Sequence, residues 1–205
     1  PAYKIASFEN EHYPLLKKIA QTKKPVIMST GMIDLKKLRE SVKFLRKNGC
    51  KQLALLKCTS SYPAEPKDLN LNSIPLLKKI FKCEVGFSDH TIGISSCLSA
   101  ISLGATIIEK HVTFEKGKGI DGAFSSNARE IMNLSNEANT TWQSVGKKNI
   151  NFSKSEKKYL IYKRSIYSTK EIKKGEKFSS ENIKVIRPSL GLHPKYFFKI
   201  LGRKA

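Results

Sequence analysis

The 205-residue chain is 40% hydrophobic, enough to bury a sizeable core and fill one domain or two. No apolar run approaches the roughly 20 residues needed to cross a bilayer. No charged leader followed by an apolar segment opens the chain, so it reads as a cytoplasmic protein with no membrane partner. The net charge is +21, but only six of the 38 basic residues are Arg. The Lys are scattered in pairs such as Lys17-Lys18, Lys78-Lys79 and Lys157-Lys158, not clustered with aromatics, which argues against nucleic acid as a partner. Such a field still draws anionic substrates into a cleft.

In chain order, Tyr3–Ser7 reads as a strand, and Tyr13–Gln21 as a helix with apolar residues at helical spacing. Pro25–Ser29 is a strand. A helix follows from Asp34, its N-cap, to Asn48, with Leu35, Leu38, Val42 and Leu45 as one stripe and Gly49 as its stop. Leu53–Lys57 is a strand, Ser73–Phe81 a helix, Val85–Ser88 a strand, Ser95–Leu103 a helix, Thr106–Lys110 a strand and Ala128–Val145 a long helix ending at Gly146. From Lys147 to Lys163 the chain is polar and Lys-rich and reads as a linker ending in a short helix. Arg164–Ser168 then opens a small separate unit, with a turn at Ile172–Glu176, a helical turn at Phe178–Asn182 and a strand at Val185–Pro188. Cys50, Cys58, Cys83 and Cys97 have no CxxC spacing and lie in or beside apolar segments, as buried reduced thiols do.

Five β/α repeats imply parallel strands with right-handed crossovers, in either an open doubly wound sheet or a (β/α)8 barrel. The three-glycine dinucleotide fingerprint is absent: Ser29-Thr30-Gly31-Met32 carries one Gly. Polar residues close every strand, which favours the barrel. The fold class is therefore α/β, a partial (β/α)8 TIM barrel holding about its last five units, with about three further units expected before Pro1. The expected domains are residues 1–146, a linker 147–163, and 164–205.

The chemistry concentrates at two strand ends, Phe87-Ser88-Asp89-His90 and Ile107-Ile108-Glu109-Lys110-His111. Adjacent strands lie about 4.8 Å apart, so His90 and His111 can share one divalent first-row ion acting as a Lewis acid. The alternative is that each ring simply bonds a neighbouring carboxylate. Asp89 and Glu109 are candidates to orient the rings, although Glu109 can equally pair with Lys4 or Lys110. Lys4, Lys57 and Lys110 are costly to bury without an anion, which implies a phosphorylated or carboxylated ligand. Ser7, Ser29, Thr30, Thr59, Ser60 and Ser88 can donate to its oxygens. Glu9 is a candidate acid or base, and Tyr62 a candidate lid.

The same residues carry a family resemblance. Lys4-Ile5-Ala6-Ser7-Phe8-Glu9, Met28–Met32, Lys57-Cys58-Thr59-Ser60-Ser61-Tyr62-Pro63, Asp68–Leu71, Gly86–Thr91 and Gly104–His111 resemble the sialic acid synthase family, with the lettering at Lys4–Glu9 and Lys57–Ala64 nearest its pseudaminic acid branch. The tail resembles the antifreeze-like (SAF, β-clip) domain, here incomplete, through Arg164-Ser165, Ile172–Glu176, Asn182, Arg187-Pro188, Gly191–Pro194 and Gly202–Ala205. The resemblance implies a homodimer that condenses phosphoenolpyruvate with an N-acetylated amino sugar to give a nonulosonic acid. The sugar is then 2,4-diacetamido-2,4,6-trideoxy-altrose, or alternatively the legionaminic or N-acetylneuraminic acid precursor.

By the same resemblance His90 and His111 hold Mn2+ or Mg2+. Lys4, Ser7, Ser29, Ser60 and Ser88 bind phosphoenolpyruvate, while Glu9, Tyr62 and Asp121 meet the sugar, with Glu9 a proton carrier. Arg187 reaches the partner subunit's site. Two positions depart from the pattern: Gly122 stands where the family usually has His, and Ile120 where it usually has Pro. The family's first strands carry an essential Glu and another Lys that this chain lacks, so the resemblance implies that this stretch alone is inactive. A metal-free sugar- or anion-binding module is the alternative of another class.

Overall fold

Five short apolar runs fold as parallel strands, β1 (Tyr3–Ile5), β2 (Val26–Ser29), β3 (Leu53–Cys58), β4 (Glu84–Asp89) and β5 (Ile108–Lys110), hydrogen-bonded in the order β1-β2-β3-β4-β5. The computed structural model describes all 205 residues, which fall into two units, Pro1–Gly146 and Lys147–Ala205. In the first unit α1 (Tyr13–Gln21), α2 (Leu35–Lys47), α3 (Ser73–Phe81) and α4 (Ser95–Ser102) cross between the strands, and α5 (Ala128–Val145) follows β5. Parallel neighbours require such crossovers, because a hairpin cannot join them.

Local chemistry explains the helix limits. The Asp34 carboxylate accepts from Lys37 N at 2.9 Å, Arg46 and Lys47 complement the last turn, and Gly49 leaves the helix at φ 115°. Leu38, Val42 and Leu45 are buried, but Leu35, expected in the same stripe, is 44% exposed in the first turn, and Ser41 is buried in its place. Asn127 and Glu130 close a capping box at the start of α5. β5 opens at Ile108, not Thr106, although Thr106 N already donates to Val85 O at 3.0 Å and its hydroxyl to Glu84 at 2.9 Å.

Strand side chains alternate between faces. Ile5, Met28, Leu55, Val85 and Phe87 point to the helices and join Leu16, Leu45, Ile74 and Cys97 in one buried core. The other face turns polar toward the strand ends: Ser29 pairs in register with Leu56 and Gly86, and Cys58 with Ser88 and Glu109. A Cβ on Gly86 would lie 2.7 Å from both Ile107 Cβ and Leu56 Cδ2, so only glycine fits. This face is concave. In a flat sheet β1 and β5 would stand about 19 Å apart, yet Lys4 Nζ on β1 lies 3.0 Å from Glu109 Oε1 on β5. The sheet curls as an arc of a barrel.

The second unit pairs β6 (Ser165–Ser168) antiparallel with β7 (Ile183–Ile186), burying Ile166 and Ile183. Asn182 organises it: its side chain accepts from Ser179 N at 2.8 Å and donates to Lys177 O at 3.0 Å. Phe178–Asn182 forms a single turn closed by Ile183 N on Ser179 O at 3.1 Å, and no helix develops from it. Residues 147–163, read as a linker, hold the short helix α6 (Lys154–Lys157) and a 3-10 turn at Leu160–Tyr162. That turn is fastened to this unit: Ser189 donates to Leu160 O through its hydroxyl and to Ile161 O through its N–H, each at 2.8 Å. The chain ends with a 3-10 turn at Pro194–Tyr196 and α7 (Phe197–Ile200). All four cysteines are free; Cys83 is half-buried and the other three are buried.

Candidate active site

His90 follows the last residue of β4 and His111 the last of β5, and the fold brings their rings together with centroids 5.2 Å apart and planes at 66°. His90 is 6% exposed. Its Nδ1 lies 2.9 Å from the Thr59 carbonyl, so that nitrogen carries a proton, and in the neutral ring Nε2 keeps its lone pair. Burial disfavours charge on this ring, but hydrogen bonds to Cys58 and Thr59 O and the charges of Cys58 and Asp89 outweigh it, leaving the His90 pKa above the ordinary imidazole value. His111 Nδ1 faces Asp121 Oδ2 at 3.4 Å, which likewise leaves Nε2 available.

Two aromatics wall the pair. The Tyr62 ring lies 4.2 Å from His90 and 5.9 Å from His111, and Phe124 lies 5.1 Å from His111 and 5.7 Å from Tyr62. Phe124, 7% exposed, escaped the sequence reading because it sits in a loop with no periodicity; its one signal was an aromatic side chain in a polar stretch. That loop is anchored where Ser126 N donates to His111 O at 2.8 Å and Ser125 Oγ donates to Asp121 O at 2.6 Å. Asp121 thus meets the second imidazole directly.

Beneath the rings lies Cys58, which sequence reasoning treated only as a buried thiol. Ser7 Oγ donates to its Sγ at 3.4 Å, and Ser60 Oγ lies 3.9 Å away. Burial raises the thiol pKa most, but hydrogen bonds from His90, Ser7 and Ser60 and the nearby imidazole charge bring it down to about 7. Gly31 makes the cluster possible: it donates its N–H to Ser7 Oγ at 3.2 Å, and a Cβ there would stand 2.6 Å from the same oxygen. Asn10, 2% exposed and also missed, holds this turn by donating to Gly31 O at 2.9 Å. Ser29 Oγ is buried with no partner in the protein, the kind of donor that a ligand oxygen satisfies.

The charged candidates separate by strand face. Lys4 lies on the concave face and shares Glu109 Oε1 with Ser88 Oγ, which donates at 2.7 Å. Lys110 and Lys57 turn instead toward the helices. Lys110 Nζ donates to Asp89 Oδ2 and Thr91 O, each at 2.7 Å; Lys57 Nζ donates to Cys58 O at 3.0 Å and Thr59 Oγ1 at 3.3 Å beside Leu38 and Leu77. The lysines alone therefore do not require a ligand anion: Lys110 is paired with Asp89, and Lys4 with Glu109. Neither Asp89 nor Glu109 orients an imidazole, as had been expected; the Thr59 carbonyl and Asp121 do so. Glu9 is half-buried on the 3-10 turn Ser7–Glu9 after β1. Arg187 lies exposed in the second unit, just after β7.

The imidazole pair fits a divalent first-row ion. Both Nδ1 atoms are tied down, which leaves the Nε2 atoms as the candidate ligands, and the ring separation of 5.2 Å suits shared bonds of about 2.1 Å. No third His, Cys, Asp or Glu completes a ligand cluster, so other positions would fall to water or substrate oxygens, as in catalytic sites.

The NeuB family model matches residues 1–150 and the SAF domain model residues 163–205. The pseudaminic acid synthase of Campylobacter jejuni subsp. jejuni serotype O:2 is 40% identical over 205 residues, covering 100% of this chain and 60% of that protein. The N,N'-diacetyllegionaminic acid synthase of the same organism is also 40% identical, over 207 residues, covering 99% of this chain and 62% of that protein. The chain thus spans about three-fifths of these relatives. Among solved structures, an N-acetylneuraminic acid synthetase from Leptospira borgpetersenii serovar Hardjo-bovis, in complex with citrate, superposes with a TM-score of 0.73 at 33% identity, covering 78% of this chain and 56% of that one. Strand-end motifs, a curled parallel sheet, a SAF tail and these matches agree, and the chain belongs to the NeuB family, with the sialic acid synthases it resembles.

Proposed function

We propose that the full-length protein is a nonulosonic acid synthase that condenses phosphoenolpyruvate with an N-acetylated amino sugar aldehyde and releases phosphate. The observation that carries this reading is the convergence of His90 and His111, each with Nδ1 engaged. A manganese or magnesium ion held there would polarise the sugar carbonyl. Lys4 and the hydroxyls of Ser7, Ser29, Ser60 and Ser88 line the concave face and bind the phosphate and carboxylate. Tyr62 and Asp121 flank the sugar, and Glu9 carries a proton at the first strand's mouth.

The chemistry balances as follows. Phosphoenolpyruvate C3 bonds to the aldehyde carbon, whose oxygen takes a proton. Water adds at C2 and gives up one proton, and phosphate then leaves with the C–O bond electrons and takes the remaining hydroxyl proton as C2 becomes the ketone carbonyl. Holding two anionic groups and one electrophile in register contributes several kcal/mol to the rate. Arg187 completes the site from the partner subunit of a homodimer. The four free thiols suit a reducing cytoplasm.

The sugar assignment rests on the lettering at Lys4–Glu9 and Lys57–Ala64. The legionaminic acid relative, as similar to this chain as the pseudaminic one, keeps its own sugar as the alternative. Full-length protein with phosphoenolpyruvate and manganese is expected to release phosphate with 2,4-diacetamido-2,4,6-trideoxy-altrose and far less with N-acetylmannosamine or the legionaminic precursor. A preference for either rival reassigns the sugar; release with none of them overturns the synthase. His90→Ala is expected to lower kcat roughly 100- to 1,000-fold, and full activity in that variant removes the metal role.

A further inference from the structure

β4 and β5 pair Ser88 with Glu109 and Asp89 with Lys110, and the His90 and His111 rings follow directly, centroids 5.2 Å apart. Both of these rungs carry a side-chain bond, and they lie on opposite faces of the strands. Ser88 Oγ donates to Glu109 Oε1 on the concave face. On the helix face Lys110 Nζ donates to Asp89 Oδ2, with side-chain exposures of 3% and 0%. Asp89 is saturated: Oδ1 accepts from Thr91 N at 2.8 Å, and Oδ2 also accepts from Cys97 Sγ of α4 at 3.1 Å. Lys110 spends a further proton on Thr91 O. The pair touches neither imidazole.

We propose that Asp89 and Lys110 are positioning residues that lock the register of β5 and thereby hold His111 opposite His90. β5 is a strand of only three residues, so its own ladder with β4 is short and specifies register weakly. A slip of one residue would carry His111 about 3.3 Å along the strand and turn it to the other face. Such a slip would also set Asp89 against Glu109 or His111 and strip Lys110 of its carboxylate in a dry environment. The buried pair makes the correct rung the one alignment that leaves no charge alone.

The inference rests on the metal reading above, and its test separates the two. Manganese dissociation constants of full-length protein, read by paramagnetic resonance of free Mn2+ well below the unfolding temperature, are compared with those of Lys110→Met and Asp89→Asn. Each folded variant is expected to bind at least about tenfold more weakly, the scale set by groups that orient metal ligands. A purely structural role would lower the melting temperature and leave affinity unchanged, and that result overturns the proposal. If neither neutral variant folds, Asp89→Glu, which keeps the charge but lengthens the side chain by one methylene, gives the reading: weaker binding supports the lock and wild-type affinity sinks it. Wild-type protein that binds no manganese overturns both the lock and the metal reading.

Discussion

Cys58 occupies a strand position where an aliphatic side chain would ordinarily pack, and its surroundings decide its chemistry. Ser7, Ser60 and His90 come from three separate strand ends to reach one sulfur. Cys97 shows the opposite outcome: burial, then the Asp89 charge, push that thiol far up, so it stays a donor. The sequence listed the four cysteines as equivalent because the groups that differentiate them are distant along the chain. The two histidines, by contrast, were legible, since each ends an apolar run. The raised pKa of His90 means that its protonated form is favoured in the fold. That contribution is complete below the ordinary imidazole range and is lost as pH climbs through the folded-state value. In chelated Cys58→Ala protein the His90 ring is expected to titrate lower than in wild type, read from its ring-proton shifts; an unchanged midpoint contradicts the thiol–imidazole contact.

At the scale of elements, helices were the easiest to read. A 3.6-residue apolar stripe, an Asp34 cap and a glycine stop are all local signals. Strand existence was equally plain, but strand facing was not. Lys4, Lys57 and Lys110 look alike in sequence, yet only Lys4 turns to the concave face, because alternation has meaning only once register is known. Gly86 marks that face most sharply. Gly86→Ala presses a methyl group between Leu56 and Ile107 and is expected to cost about 1–3 kcal/mol, seen as a lower urea midpoint at unchanged slope. A midpoint equal to wild type would mean that the strands can part there.

For the whole molecule, an excess of 21 positive charges, nearly all Lys, accompanies a site that handles anions in the proposed reaction. Long-range attraction of this kind acts on encounter and is screened within about 10 Å at 0.1 M salt. For full-length protein, kcat/KM for phosphoenolpyruvate is therefore expected to fall several-fold between about 0.02 and 0.5 M salt, with kcat nearly flat. A flat kcat/KM over that range would show that the field does no steering.

The tie between Lys4 and Glu109 has a consequence for any anion that enters. The ammonium already faces a carboxylate, so an incoming anion shares it with Glu109 or displaces it. Where it displaces, capture is an ion exchange, whose driving force is the difference between two similar contacts and not the full strength of one. Such a balance favours ready release as much as uptake, and it returns Glu109, still gripped by Ser88, to the cation when the visitor departs.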